Sequence, residues 1–164
     1  MIENSEIKID YPSLDVVFKE VNARLEIQFR AISTLDTKAS IVLGFCGVIL
    51  ASSLWSSQNG GQTLWLTMSP PLLIFISALF SLIAYWVVEY RRDPEPRPLV
   101  ENYLVKKSDE TAKQILDNWV ISFEENKRKI ERKAKLVRLS FLFLTLGIIL
   151  FVASHCIILL KSKQ

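Results

Sequence analysis

Three stretches without a single Asp, Glu, Lys or Arg, residues 39–55, 70–88 and 139–160, constrain this chain more than any other feature. A helix needs about 17–25 mostly apolar residues, at about 1.5 Å of rise each, to cross the hydrocarbon core of a bilayer, and each run meets or approaches that length. Half of the 164 residues are hydrophobic, yet 23% are charged. A water-soluble domain would spread such a mixture with a period of two or about 3.6 around one core, whereas here it is segregated into blocks. The pattern predicts an all-α membrane protein with three transmembrane helices.

The first run lies behind residues 1–38, which carry seven acids, and no cleavage-type segment follows it, so it is expected to stay in the mature protein rather than act as a signal peptide. Orientation follows from the cations. Of 20 Lys and Arg residues, five lie in residues 1–38, none between the first and second runs, thirteen from Arg91 to Arg138, and two after the third run. Positive charge accumulates on the cytoplasmic side. The N-terminus and residues 91–138 are therefore expected in the cytoplasm, and residues 56–69 and the C-terminus outside. Trp55 and Trp65 flank the outer loop, and Tyr85, Trp86 and Tyr90 suit the inner interface. Cys46 and Cys156 should lie at different depths and form no disulfide within one chain; both read as buried apolar residues.

Apolar residues at Leu14, Val17, Phe18, Val21, Leu25, Phe29, Ile32 and Leu35 form one helical stripe, with Ser13 placed to cap it. No breaker precedes Gly44. The amphipathic helix is thus expected to run straight into the first span as a rod of about 43 residues, or roughly 65 Å. Asn59, Gly60 and Gly61 mark an outer turn, Ser69, Pro70 and Pro71 a helix start, and the prolines at 94, 96 and 98 an extended arm. From Ser108, with Asp109 and Glu110 in the first turn, a helix bearing Ala112, Ile115, Leu116, Trp119, Val120 and Phe123 on one face leads through a basic stretch into the third span. Four regions result: a cytoplasmic tail and amphipathic helix (1–38), a transmembrane hairpin (39–88), a cytoplasmic proline-rich arm with a basic helix (89–138), and a third transmembrane helix with a short outer tail (139–164). Helices one and three, each extended with an apolar stripe, are expected to build a cytoplasmic helical bundle.

Ser33, Thr37, Ser40, Gly44, Gly47 and Ala51 share one narrow face of the first helix. Small residues at this spacing let backbones approach closely in lipid, and they equally suit the lining of a pore. Ser77, Ser81 and Ala84 repeat the pattern on the second helix, with the same two readings. Asp36 and Lys38, two residues apart at the edge of the first span, point to nearly opposite sides and do not pair. Lys38 can extend to lipid phosphates. Asp36 either pairs with Lys135 or Arg138 at similar depth or contributes to a ring around a cation path.

The cations between Arg91 and Arg138 admit three readings. They set topology and touch anionic lipid, at about 1 kcal/mol per charge. Alternatively Arg91, Arg92, Arg97, Lys106, Lys107, Lys127, Arg128 and Lys129 supply a site for a phosphorylated ligand, since guanidinium and ammonium groups capture phosphate. Nonspecific nucleic-acid binding is the third reading, diluted by acids from Asp93 to Glu131, and no stable duplex partner is expected. Nothing points to an enzyme: no Cys and His cluster has metal spacing, no phosphate-binding glycine loop or nucleophile motif occurs, and the single histidine, His155, sits in an apolar helix, where it reads as a packing residue. No cofactor or metal is expected.

The element "LDTKASIVLGF", with Asp36, Lys38 and Ala39 opening the first span, followed by a paired span, a proline-rich arm and a basic helix returning to the membrane, resembles the small membrane effectors of bacterial antiphage systems. These are SLATT-type and Pycsar-type transmembrane effectors encoded beside nucleotidyltransferases or cyclases. The resemblance implies residence in the bacterial inner membrane, self-assembly, and impairment of that membrane in response to a nucleotide or oligonucleotide signal. The resulting expectation is a homo-oligomeric pore, a tetramer favoured, gated through its cytoplasmic helices, with helix one along the axis and Asp36 at the mouth. The alternative is a nonconducting scaffold that recruits a soluble partner through Trp119 and Phe123.

Overall fold

The computed structural model describes residues 12–56, 64–86, 88–92, 97 and 107–161. The outer turn at Asn59, Gly60 and Gly61, the side chains of Trp55 and Trp65, and the proline-rich arm other than Arg97 lie outside the described residues. Three helices carry the fold: α1 (Leu14–Ser56, 43 residues), α2 (Leu64–Tyr85, 22 residues) and α3 (Ser108–Lys161, 54 residues). No strand occurs among the described residues. Each helix includes a stretch long and apolar enough to cross a membrane.

Local chemistry sets most of the helix ends. The Ser13 carbonyl accepts the Val17 N–H at 3.1 Å, which puts Ser13 at the N-cap position, and Asp15 in the first turn favours the positive end of the helix dipole. In α3 the Lys107 carbonyl accepts the Thr111 N–H at 3.1 Å, with Asp109 and Glu110 in the first turn as expected. Helix α2 departs from expectation at both ends. It begins at Leu64 rather than Ser69, so Pro70 and Pro71 lie inside it. Each proline removes one donor and frees a carbonyl a turn earlier, but an apolar segment with no water to bond gains from keeping every other backbone group in the helix. At the other end the Trp86 N–H is shared between the carbonyls of Leu82 (3.0 Å) and Ile83 (3.3 Å), and the helix stops at Tyr85 instead of reaching Val88.

The chain forms two compact units. One comprises residues 31–88 and 128–164. Its buried positions step by three and four along each helix: Ile32, Ala39, Val42 and Cys46 on α1, Pro70, Ile74, Ser77, Ser81 and Ala84 on α2, and Lys133, Val137, Ser140, Leu144 and Gly147 on α3. This is the seam spacing of helices packed at a shallow angle. Contacts fix the directions. Ala39, Ala84 and Val137 form one cluster, and Val42, Cys46, Ile74 and Leu144 the next, so α1 and α3 run parallel and α2 antiparallel. Half of these seam residues are Ala, Cys, Ser or Gly, which suits a setting where apolar packing against lipid tails gives helices little reason to associate unless their backbones approach closely. Gly147 shows how close: a Cβ there would stand 2.7 Å from Ile74 Cγ1 and 3.4 Å from its backbone nitrogen.

Hydroxyls then tie the seam. Ser77 Oγ donates to the Ser140 carbonyl at 2.6 Å, Ser81 Oγ bonds Ser140 Oγ at 3.1 Å, Ser140 Oγ bonds the Val137 carbonyl at 3.0 Å, and Cys46 Sγ lies 3.5 Å from Ser77 Oγ. All four residues are fully buried. Ser77, Ser81 and Ala84, which the sequence leaves open between packing and pore lining, are thus packing residues inside one chain.

The other unit comprises residues 1–30 and 89–127. Here amphipathic parts of α1 and α3 meet: the Phe18 and Trp119 rings lie 4.5 Å apart, and Gln28 Nε2 donates to the Phe123 carbonyl at 3.0 Å. The segment after α2 is pinned by Asn126, fully buried, whose side chain accepts the Arg91 N–H at 3.0 Å and donates to the Arg91 carbonyl at 2.7 Å. A 310 Å³ groove at its edge is lined by Pro12, Ser13, Leu14, Val17, Lys113, Leu116 and Asp117.

Candidate functional site

Ser33, Thr37, Ser40, Gly44, Gly47 and Ala51 are all exposed. At 100° per residue they centre roughly 130° around α1 from the seam residues Ile32, Ala39, Val42 and Cys46. Nothing lies within 4 Å of a Cβ built at Gly44 or at Gly47. The hydroxyls on this face turn back onto their own helix, Thr37 Oγ1 to the Ser33 carbonyl at 3.0 Å and Ser40 Oγ to the Asp36 carbonyl at 2.9 Å. The face therefore presents small side chains, and from Thr37 onward its hydroxyls are already bonded, so that stretch can be covered by an apolar surface without leaving a donor unmatched. Phe45 and Val48, exposed beside it, supply bulk at its edges.

Asp36 at the start of this face meets the Lys133 ammonium. Lys135 and Arg138, the partners expected from sequence, are both exposed. The helical register explains the change: residue 133 falls in line with Val137 and Ser140 on the seam, whereas 135 and 138 fall off it. The Lys133 side chain keeps only 6% of its surface exposed and that of Asp36 35%, so the pair is half-sunk into the bundle one turn from the Ala39, Ala84 and Val137 cluster. An ammonium buried to that degree requires a counter-charge, and Asp36 supplies one.

The cations expected to gather around a phosphate do not converge on the groove, which contains none of them. Arg91 pairs with Glu125 at 3.0 Å, and the Arg92 guanidinium stands 5.2 Å over the Phe29 ring. Arg97, Lys107 and Lys129 are each engaged in a further contact, Lys127 and Arg128 are exposed, and Lys106 lies outside the described residues. Among the described residues no cluster of His, Cys, Asp and Glu has the composition to hold a metal. His155 Nδ1 lies 3.1 Å from the Phe151 carbonyl of its own helix and its ring 4.3 Å from the Phe151 ring. Both cysteines are free, Cys46 buried as expected but Cys156 exposed.

Lys133, Ser140, Gly147 and Asn126 were not singled out by sequence. Lys133 sits in a run of cations that looks uniform until the position of the seam is known. Ser140 and Gly147, by contrast, stand a heptad apart on the same side of α3, and that spacing was a readable signal.

Compared with known protein families, characterised proteins and solved structures, the chain matches none.

Proposed function

We propose that the chain is a bacterial inner-membrane protein, N-terminus cytoplasmic and C-terminus outside, that assembles through α1 into a homo-oligomeric pore, a tetramer favoured, and acts as an antiphage effector. A nucleotide-type signal at the cytoplasmic helices opens it, and the membrane potential, worth about 2.3 kcal/mol per charge per 100 mV, is lost. The single observation behind this reading is the outer face of α1. A helix that completes its own bundle with Ala39, Val42 and Cys46, and that also carries Ser40, Gly44, Gly47 and Ala51 in the open, has a second surface suited to close helix contact. The Asp36–Lys133 pair at its polar end supports a role for that end as the mouth, since an ion pair beside a path is both a charge filter and an obstacle that a signal can displace.

The scaffold alternative has less support, because Trp119, its intended docking residue, is packed on Phe18 in the same chain. An activity test separates the two. Purified protein in liposomes bearing a potassium diffusion potential should dissipate it, and Asp36→Asn and Gly44→Leu should each alter the rate. Liposomes that hold their potential at every protein density tested, with and without a cyclic or linear oligonucleotide, would remove the pore from consideration.

A further inference from the structure

The described arginines fall into two groups. Arg24 pairs with Glu20 at 2.8 Å, Arg30 reaches Glu26 at 4.0 Å, Arg91 pairs with Glu125, and Arg92 lies over Phe29. Arg97 is likewise engaged. Arg128, Arg132 and Arg138, and with them Lys135, are exposed and meet no acid or ring among the described residues. These four share one side of α3 within an arc of about 120° at 100° per residue. Between residues 128 and 138 Glu131, also exposed, is the single acid on that arc, and exposed Glu124 lies on the same side one turn before Arg128.

Their depth is fixed by packing. The Asp36–Lys133 contact and the Ala39, Ala84 and Val137 cluster put the first residues of the apolar run of α1 level with the last turn before that of α3. Arg132, Lys135 and Arg138 therefore occupy the two turns, roughly 10 Å, just outside the apolar boundary. Lys38 on α1, exposed and two residues past Asp36, is level with Lys135. A bilayer has its phosphodiester headgroups in that layer, some 5–8 Å deep on each side of the core, and long cationic side chains reach it while their stems lie along apolar surface.

We infer that Arg132, Lys135 and Arg138, with Arg128 behind them, form a binding surface for anionic phospholipid headgroups on the outward side of α3. It rests on the membrane orientation proposed above, and not on conduction. Charge complementarity selects the occupant: these cations form no ion pair among the described residues, and a leaflet of phosphatidylglycerol or cardiolipin supplies counter-charge at the right depth. This surface is separate from the expected phosphate set, of which it includes Arg128 alone.

The test uses the full chain, reconstituted in nanodiscs of phosphatidylglycerol and phosphatidylcholine in equal parts, then released and weighed by native mass spectrometry. Wild type should retain phosphatidylglycerol several-fold over phosphatidylcholine. Arg132→Gln, Lys135→Gln and Arg138→Gln combined should bring the two lipids near parity, while Arg132→Lys with Arg138→Lys should keep the preference and show that charge, not loss of fold, is responsible. A matched triple on the amphipathic part of α1, Lys19→Gln, Arg24→Gln and Arg30→Gln, should leave it intact. Undiminished preference in the first triple overturns the inference. So does displacement of phosphatidylglycerol by millimolar inorganic phosphate, because the surface would then be a free-anion site. A protein that retains phosphatidylglycerol yet leaks no ions defeats the pore and leaves this inference standing, whereas a protein found outside the membrane fraction defeats both.

Discussion

Helix α1 has two faces built from similarly small side chains, and the chain treats them in opposite ways. On one side Ala39, Val42 and Cys46 are fully buried against α2 and α3, and the hydroxyls opposite them bond across helices, Ser77 and Ser81 both to Ser140. On the other side Ser40, Gly44, Gly47 and Ala51 are exposed, a Cβ at Gly44 or Gly47 would meet nothing within 4 Å among the described residues, and the hydroxyls of Thr37 and Ser40 bond within their own helix. Composition alone cannot tell such faces apart. What separates them is whether a hydroxyl reaches a neighbouring helix or its own preceding turn, because only the first kind ties two elements together. The inner face packs within the three-helix bundle of one chain, and the outer one is expected to be dispensable for it. Substitutions graded by their expected cost to the bundle test that division.

The largest cost is expected at Gly147. With Ile74 Cγ1 only 2.7 Å from the site of a Cβ, Gly147→Leu must push α2 from α3, for a loss of about 3 kcal/mol. Unfolding in mixed micelles, followed by circular dichroism, should show a markedly earlier transition, and an unchanged midpoint would mean that the seam is looser than its geometry. Next comes Lys133→Ala, which strands the Asp36 carboxylate. A fully buried pair broken this way costs about 3–5 kcal/mol, but Asp36 keeps a third of its surface exposed, so about 2 kcal/mol is expected. Adding Asp36→Ala should return part of the loss, and a double variant no more stable than the single one would deny the coupling. Ser77→Ala removes one donor from the serine network and should cost about 1 kcal/mol by the same measurement.

How far the sequence discloses this arrangement depends on the residue. Charge-free runs are long-range signals, averaged over some 20 positions, and the three helices were legible from them. The α2 ends were not, since a proline pair marks a helix start only where water can bond the freed carbonyls, and an apolar helix continues through it. The Asp36 partner was misread for a related reason. Depth along α3 is readable to within a turn, but rotation about its axis is not until the seam is located, and Lys133, Lys135 and Arg138 differ in rotation more than in depth. Asn126 was hidden among charged neighbours, because its role depends on meeting the backbone of Arg91 far away in sequence. The outer face of α1 was legible as a pattern of small residues; its purpose was not, because it is exposed and nothing described lies against Gly44 or Gly47.

The smallest expected effect on the fold is also the most informative. Gly44→Leu and Gly47→Leu add side chains into open space, so the bundle of a single chain should change by no more than about 0.5 kcal/mol. If the outer face meets a sister subunit, the same side chains hold the two backbones apart, and the oligomer should dissociate in mild detergent while the unfolding midpoint stays put. Light scattering on the detergent complex, read beside circular dichroism on one sample, measures both at once. Because Gly147→Leu damages the fold directly, it cannot distinguish lost assembly from lost structure, whereas Gly44→Leu can. An assembly that survives both leucines with its mass unchanged would assign this face to lipid, and the proposed pore would then need another helix along its axis.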